Sequence, residues 1–403
     1  MCIICDGEYD EKTIELDCGG CTELTEIPVL PNLVELSCCG CTSLTEIPML
    51  PNLVELDCRN CTNLTKIPEL PHLTELECHN TDLTKIPMLP NLIYLKCDGC
   101  TELTEIPELP NLMGLYCSRC FSLTKIPKLP KLNRIYCTFC IDLTEIPELP
   151  ELTELHCDDC TRLTEIPMLP KLTKLYCLNC ADLIEIPKLL TLVELYCSYS
   201  SFTMIPELPN LATLYCCGCT NLTEIPKLPK LTFLLCNGCT NLEKIPELPI
   251  VRLHCSGCTS LTELPEFPKL VELYCGGCTS LTEIPMLPKL IELYCGACTS
   301  LTKIPVLPNL TELDCHNCTS LTEIPELPNL SELLCNGTWI EQNPSFSSNM
   351  EKLRHLQRFC RNNLFYWRFS RWIKSKEFAE WFYSPNQWGG RACKRMIENV
   401  IEN

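Results

Sequence analysis

Leu33-Val34-Glu35-Leu36-Ser37-Cys38-Cys39-Gly40-Cys41-Thr42-Ser43-Leu44-Thr45-Glu46-Ile47-Pro48-Met49-Leu50-Pro51-Asn52 is followed at once by Leu53-Val54-Glu55-Leu56-Asp57-Cys58, the same unit begun again. Aligned on the cysteine of Leu-x-x-Leu-x-Cys, the unit recurs seventeen times from Cys18 to Cys335, in steps of 20 residues or, three times, 19. Leu36 and Cys38 lie two apart, so in a strand they share one side with Leu33 at its entry. Val54-Glu55-Leu56-Asp57-Cys58 alternates as a half-buried strand does. A Gly/Asn-rich turn follows (Gly19-Gly20, Asn60, Gly99, Gly238), and then Leu, Ile and Leu return inward along a second wall. Of 33 prolines, sixteen follow the Ile slot and fifteen the next Leu. Proline fixes φ, removes a donor and pushes its predecessor to extended geometry, so this return is polyproline-like and not helical. One such coil cannot bury its own apolar edge, whereas stacked coils can. Seventeen coils at strand spacing form a rod or arc about 80 Å long.

Charge is uneven along the chain. The formal net charge is −19, yet residues 341–403 carry eleven Lys/Arg against six Asp/Glu, which leaves −24 on residues 1–340. An acidic body disfavours nucleic acid and favours a basic partner. The 37 cysteines would suit an exported disulfide scaffold, but the opening Met-Cys-Ile-Ile-Cys-Asp-Gly-Glu-Tyr-Asp offers no basic and apolar export signal. No apolar run approaches the ~20 residues that span a bilayer. The expectation is an intracellular, cytoplasmic protein with mostly free thiols.

The Leu-x-x-Leu-x-Cys-x-x-Cys segment resembles the strand-and-turn signature of leucine-rich repeats, over residues 13–340. The continuation Leu143-Thr144-Glu145-Ile146-Pro147-Glu148-Leu149-Pro150 looks like the short bacterial class found in secreted effectors of Gram-negative pathogens. The cysteine-rich variant, with the stretch Lys376 to Gly390 in its tail, is most similar to repeat proteins of giant DNA viruses. The resemblance implies an α/β solenoid of about seventeen coils of 19–20 residues. It would have short parallel strands on a concave face, extended Pro-rich convex returns and a small C-terminal helical tail. Residues 1–12 then read as an N-terminal cap, 13–340 as the solenoid and 341–403 as a basic, aromatic tail or cap.

Fourteen Cys-x-x-Cys pairs run through the solenoid, with one more at Cys2/Cys5. Neighbouring pairs such as Cys18/Cys21 and Cys38/Cys41 have zinc-ribbon spacing, so a metal-binding solenoid is one reading. Against it, Thr81, Ser200 and Thr338 replace the second cysteine, and the gap to the next apolar residue (Leu83, Phe202, Ile340) shortens by one. The resemblance gives this slot to an asparagine that bonds the backbone of adjacent turns. A hydroxyl can replace a turn-bonding thiol but not a soft metal ligand. Buried thiols also resist deprotonation, and parallel Cβ vectors suit disulfides poorly. The pattern therefore reads as a structural thiol ladder with no metal and no cofactor.

The resemblance places binding on the outward residues of the concave strands. One outward slot holds seven of the twelve tyrosines: Tyr116, Tyr136, Tyr176, Tyr196, Tyr215, Tyr274 and Tyr294. Two residues upstream lies a frequent acid, including Glu154, Glu194, Glu272 and Glu292. Tyrosine gives large contact area at low entropy cost, and acids favour a basic peptide or protein. Equally, tyrosine is a good strand residue that stacks across coils. His72, His79, His156, His254 and His316 read as scattered surface residues.

In the tail, Met350, Leu353, Leu356, Phe359, Cys360, Leu364 and Trp367 follow helical spacing, a second helix runs from near Ser375 to Ser384, and a third carries Cys393, Met396, Ile397, Val400 and Ile401. The tail reads as a cap over the last coil or a partner-docking adaptor, such as one recruiting ubiquitin-ligase machinery. Nucleic-acid or membrane contact through Arg368, Arg371, Lys374 and Lys376 is the third reading. Cys360 and Cys393 are followed by Arg-Asn and Lys-Arg, and no phosphate loop or nucleophile elbow occurs. The sequence thus predicts a non-enzymatic interaction scaffold, viral or effector-like and acting in a host cytoplasm. Its oligomeric state is left open.

Overall fold

The structure is a computed structural model that describes residues 2–338, apart from 323 and 326. The expected tail helices and Ile340 lie outside the described residues. Seventeen three-residue strands, β1 (Glu15–Asp17) to β17 (Glu332–Leu334), form one parallel sheet in which each coil pairs with the next. The register is set by the apolar slot: Leu16 lies against Leu36, Leu155 against Leu175 and Leu214 against Leu234. A one-residue slip would turn each of these leucines to solvent.

The strands are shorter than the five-residue alternation suggests, spanning Glu55–Asp57 where Val54–Cys58 was expected. The flanking residues still bond between coils: Val54 N–H donates to the Val34 carbonyl (2.8 Å) and Cys58 N–H to the Glu77 carbonyl (2.8 Å). Beyond Cys58 the chain turns through a left-handed residue, Asn60 at φ 58°, a conformation that Gly or Asn adopts with least strain. Asn80, Asn179 and Asn317 occupy the same slot, but so do Phe139, Tyr199 and Ala297.

Leu33, Leu36, Cys38, Cys41, Leu44, Ile47 and Leu50 of one coil are all buried, and their counterparts stack on them in the following coils. This wall is the core. Among the described residues helix is all but absent: one four-residue helix, α1 (Ile3–Asp6), precedes the first coil, and the returns of the described coils are extended, as expected. The physical reason is the paired prolines, which forbid helical turns in each return. The returns nevertheless touch, through isolated parallel bridges such as Glu46 to Lys66 and Lys125 to Glu145. The fold is therefore a parallel β-solenoid.

Asparagines after the second proline add a further thread. Asn52, Asn91, Asn111, Asn309 and Asn329 donate to the second-proline carbonyls of their preceding coils (Pro31, Pro71, Pro90, Pro288 and Pro308) at 2.6–2.8 Å. Proline carbonyls in a thin wall lack strand partners, so this side-chain ladder satisfies them. The 19-residue coils absorb their deletions locally: after Pro249, Ile250 drops directly into the buried leucine slot.

Candidate binding surface on the strand face

Each strand turns its central residue inward and its two flanking residues outward, so the sheet carries two outward rows. The row holding Tyr116, Tyr136, Tyr176, Tyr196, Tyr215, Tyr274 and Tyr294 is in register from coil to coil. Its rings stack face to face. Tyr116 and Tyr136 have centroids 4.9 Å apart at 7°, and Tyr176 and Tyr196 are 4.4 Å apart at 4°. His156 fills the gap between two tyrosines, 4.3 Å from Tyr136 and 4.0 Å from Tyr176. The run continues through Tyr196 and Tyr215 at 4.6 Å.

At the twelfth coil this row holds Leu235, and Phe233 from the other row carries the contact across. Its ring lies 5.2 Å from Tyr215 and 5.5 Å from His254, which then packs 4.3 Å from Tyr274. Tyr274 and Tyr294 close the strip at 4.4 Å. Ten aromatic rings in unbroken contact thus cross the sixth to fifteenth coils. Three of them, His156, Phe233 and His254, were not among the sequence-predicted site residues. The histidines stood in the tyrosine row and were read as scattered; Phe233 gave no signal because it belongs to the neighbouring row. Gly114 makes room at the start of the strip, since a Cβ there would lie 2.9 Å from the Tyr94 ring and 3.2 Å from that of Tyr116.

The acids of the second row are less available than their sequence suggests. Glu154 meets His156 at 3.0 Å and Arg134 at 3.7 Å, Glu194 meets Lys174 at 3.1 Å and Glu272 meets Arg252 at 3.0 Å. Burial opposes the charge on Glu154, but the His156 hydrogen bond and the charges of His156, Arg134 and Lys174 outweigh it and hold the carboxyl below its ordinary range. Glu292 and Glu312 accept from the hydroxyls of Tyr274 (3.2 Å) and Tyr294 (2.6 Å). Burial, reinforced by neighbouring glutamates, raises the Tyr176 and Tyr274 hydroxyls. Burial also keeps His254 below the ordinary imidazole value, against the opposing pull of Glu272. The strip is therefore aromatic surface with its nearest acids already partnered. Exposed, outward-facing Glu35 and Glu55 lie on the early coils and Glu332 on the last.

The thiols have a different task. In thirteen coils the second cysteine donates to the carbonyl of the preceding coil's first cysteine, at 3.0–3.2 Å; Cys41 to Cys18, Cys140 to Cys117 and Cys318 to Cys295 are examples. Ser200 makes the same bond to Cys177 at 3.0 Å, so a hydroxyl does substitute there. Thr81, which is β-branched, instead turns to the Cys78 carbonyl of its own coil at 2.9 Å. Burial pushes the strand-column thiols Cys58 and Cys177 well up. The turn column is mixed: hydrogen bonding with the preceding strand-column thiol draws Cys61 and Cys219 down.

Strands in register, one per coil of 19 or 20 residues, rest on an inward Leu-x-x-Leu-x-Cys wall. The fold is a leucine-rich-repeat solenoid. No protein-family model matches the chain, and no curated protein matches it. Among solved structures it is similar to a leucine-rich-repeat protein of Bacteroides ovatus, at 19% identity over 82% of this chain and 80% of that one, with a TM-score of 0.38. It is also similar to YopM, a leucine-rich effector of Yersinia pestis, at 25% identity over 81% and 78%, TM-score 0.37. A third is the functional domain of InlJ from Listeria monocytogenes, which includes a cysteine ladder, at 22% identity over 81% and 63%, TM-score 0.31. No helix among the described residues is long and apolar enough to cross a membrane.

Proposed function

We propose that the chain is a non-enzymatic binding scaffold that engages a protein or peptide across the outward face of its sheet. The observation that carries this reading is the ten-ring strip from Tyr116 to Tyr294. Its rings are half-buried by one another, and their edges and hydroxyls form a rigid amphipathic surface of the kind that anchors interfaces. Tyr116, Tyr136, Tyr176, Tyr196, Tyr215, Tyr274 and Tyr294 form the contact row, with Glu154, Glu194, Glu272 and Glu292 as its flank. Because most of that flank is ion-paired, the basic character of a partner would be read at Glu35 and Glu55 and not along the strip. A viral or effector-like role in a host cytoplasm is consistent with this reading and rests on the sequence resemblance alone. An adaptor role for residues 341–403 rests on the sequence alone as well.

The test is affinity capture from a host-like lysate with the full chain and with a variant carrying serine at the seven strip tyrosines. Ser37 already occupies this slot in a well-formed strand, so the backbone accepts serine here, and circular dichroism checks that the variant stays folded without its ring stacking. Loss of a defined partner by the folded variant supports the strip; identical captures by both baits would refute it.

A further inference from the structure

One group of thiols behaves unlike the ladder. Among the described residues, Cys2, Cys5 and Cys21 form the one cluster of three or more potential ligands whose donor atoms all lie within 4.8 Å of one another. The Cys2 and Cys5 sulfurs are 3.5 Å apart, and so are those of Cys5 and Cys21. Cys5 is exposed, and Cys2 and Cys21 are half-buried.

The convergence has a local cause on each side. Cys21 occupies the turn slot from which later coils send a thiol proton to the preceding coil's carbonyl, as Cys41 does to Cys18 at 3.2 Å. Residues 2–12, ahead of the first described coil, form no coil, and the Cys21 thiol meets that segment at Cys5 and not a carbonyl of the ladder. In that segment Asp6 N–H donates to the Cys2 carbonyl at 3.0 Å and Gly7 N–H to that of Ile4 at 3.2 Å. These bonds close one helical turn, and residues three apart in such a turn share a face. Cys2 and Cys5 therefore point the same way, toward Cys21.

We propose that Cys2, Cys5 and Cys21 bind one thiophilic divalent cation, Zn2+, as three thiolates, with the fourth position open to solvent. Tetrahedral zinc with Zn–S bonds of about 2.3 Å sets its sulfurs about 3.8 Å apart, close to the two observed separations of 3.5 Å. Three soft ligands at this distance select zinc over the hard cations that prefer oxygen. Binding converts three thiols into thiolates and releases three protons to water, which this solvent-open cluster permits. Three convergent sulfurs are also one more than a disulfide uses. The cation ties α1 to the first coil and so covers the open end of the thiol ladder. Thus the cysteine spacing that looked like zinc throughout the solenoid marks a site only where a pair meets a rung without a carbonyl partner.

The test uses the full chain, reduced, stripped of metal and titrated with Co2+ and then Zn2+. The expected result is thiolate-to-cobalt absorption saturating at one equivalent per chain and displaced by Zn2+. It should be lost in Cys2→Ser/Cys5→Ser/Cys21→Ser and retained in a control with serine at Cys39, Cys217, Cys360 and Cys393. Hydrogen exchange of residues 2–21 should slow on metal addition in the control but not in the triple variant. Absorption that is absent, or that survives the triple substitution, would overturn the site. So would a chain that takes up no metal when reduced and, with dissolved oxygen as oxidant, forms a disulfide within the trio.

Discussion

The first four coils and the sixth to fifteenth coils share one backbone and one core but present opposite chemistry. In the early coils the outward row reads Asp17, Ser37, Asp57 and Glu77; later it reads Tyr116, Tyr136, His156, Tyr176 and onward. Both sets form three-residue parallel strands in the same register over fully buried leucines. The fold therefore does not require an aromatic in this slot. If tyrosine were there only as a strand former, Asp57 could not pair with Ser37 and Glu77 as regularly as Tyr176 pairs with Tyr196. The inward slots answer to stacking, and the outward row is free to carry function.

The largest effect expected is in the shared inward wall. Leu155→Ala in the eighth coil and Leu56→Ala in the third should each cost about 2–5 kcal/mol, read by urea unfolding, because both leave a cavity in a fully packed wall. A marked difference between them would break the equivalence of the two regions. A smaller loss is expected where the outward rows differ. Tyr176→Ser removes stacking on His156 and Tyr196 and should cost about 1–2 kcal/mol, whereas Asp57→Ser should cost only what its contact with Arg59 (2.8 Å) supplies, under about 1 kcal/mol.

The turn column should respond more gently still. Cys160→Ser keeps a donor for the Cys137 carbonyl, as Ser200 does for Cys177, whereas Cys160→Ala loses it and should be the worse by about 1 kcal/mol. Equal stabilities would mean that the ladder bond contributes nothing. Smallest is a pH effect confined to the aromatic region. His254 has its folded value lowered by burial, so its unfolded form takes a proton first, near 6.5. Its contribution is present above that pH and lost as pH falls through it. Glu154, also lowered in the folded state, adds a loss below its ordinary value of 4.5. A His254→Phe variant should flatten the upper part of this acid limb in pH-dependent unfolding, and an unchanged profile would show that His254 does not titrate differently in the folded chain.

Much of this was legible in the residues. Period, proline pairs and alternating leucines specify the coil, its inward wall and its extended return, because each is a local constraint repeated in register. Ser200 in a cysteine slot announced a hydrogen-bonding role, and the structure shows the bond. Phe233 and the ion pairs of Glu154, Glu194 and Glu272 were not legible, since they depend on contacts between rows, which slot-by-slot alignment does not order. The absence of helix from the returns was legible too, given what Pro48 and Pro51 do to a return. The Cys2/Cys5/Cys21 cluster depends on a segment folding over the first coil, which no repeat pattern encodes.

The most direct measurement is the affinity of the captured partner for the full chain, for Tyr176→Ser/Tyr196→Ser, and for Glu35→Gln/Glu55→Gln, each confirmed folded. If the aromatic strip is the binding surface, the tyrosine pair should weaken binding at least about tenfold, roughly 1.4 kcal/mol, and the glutamate pair should weaken it less. Unchanged affinity in the tyrosine variant, with binding lost in the glutamate variant, would contradict it and move the site to the acidic coils.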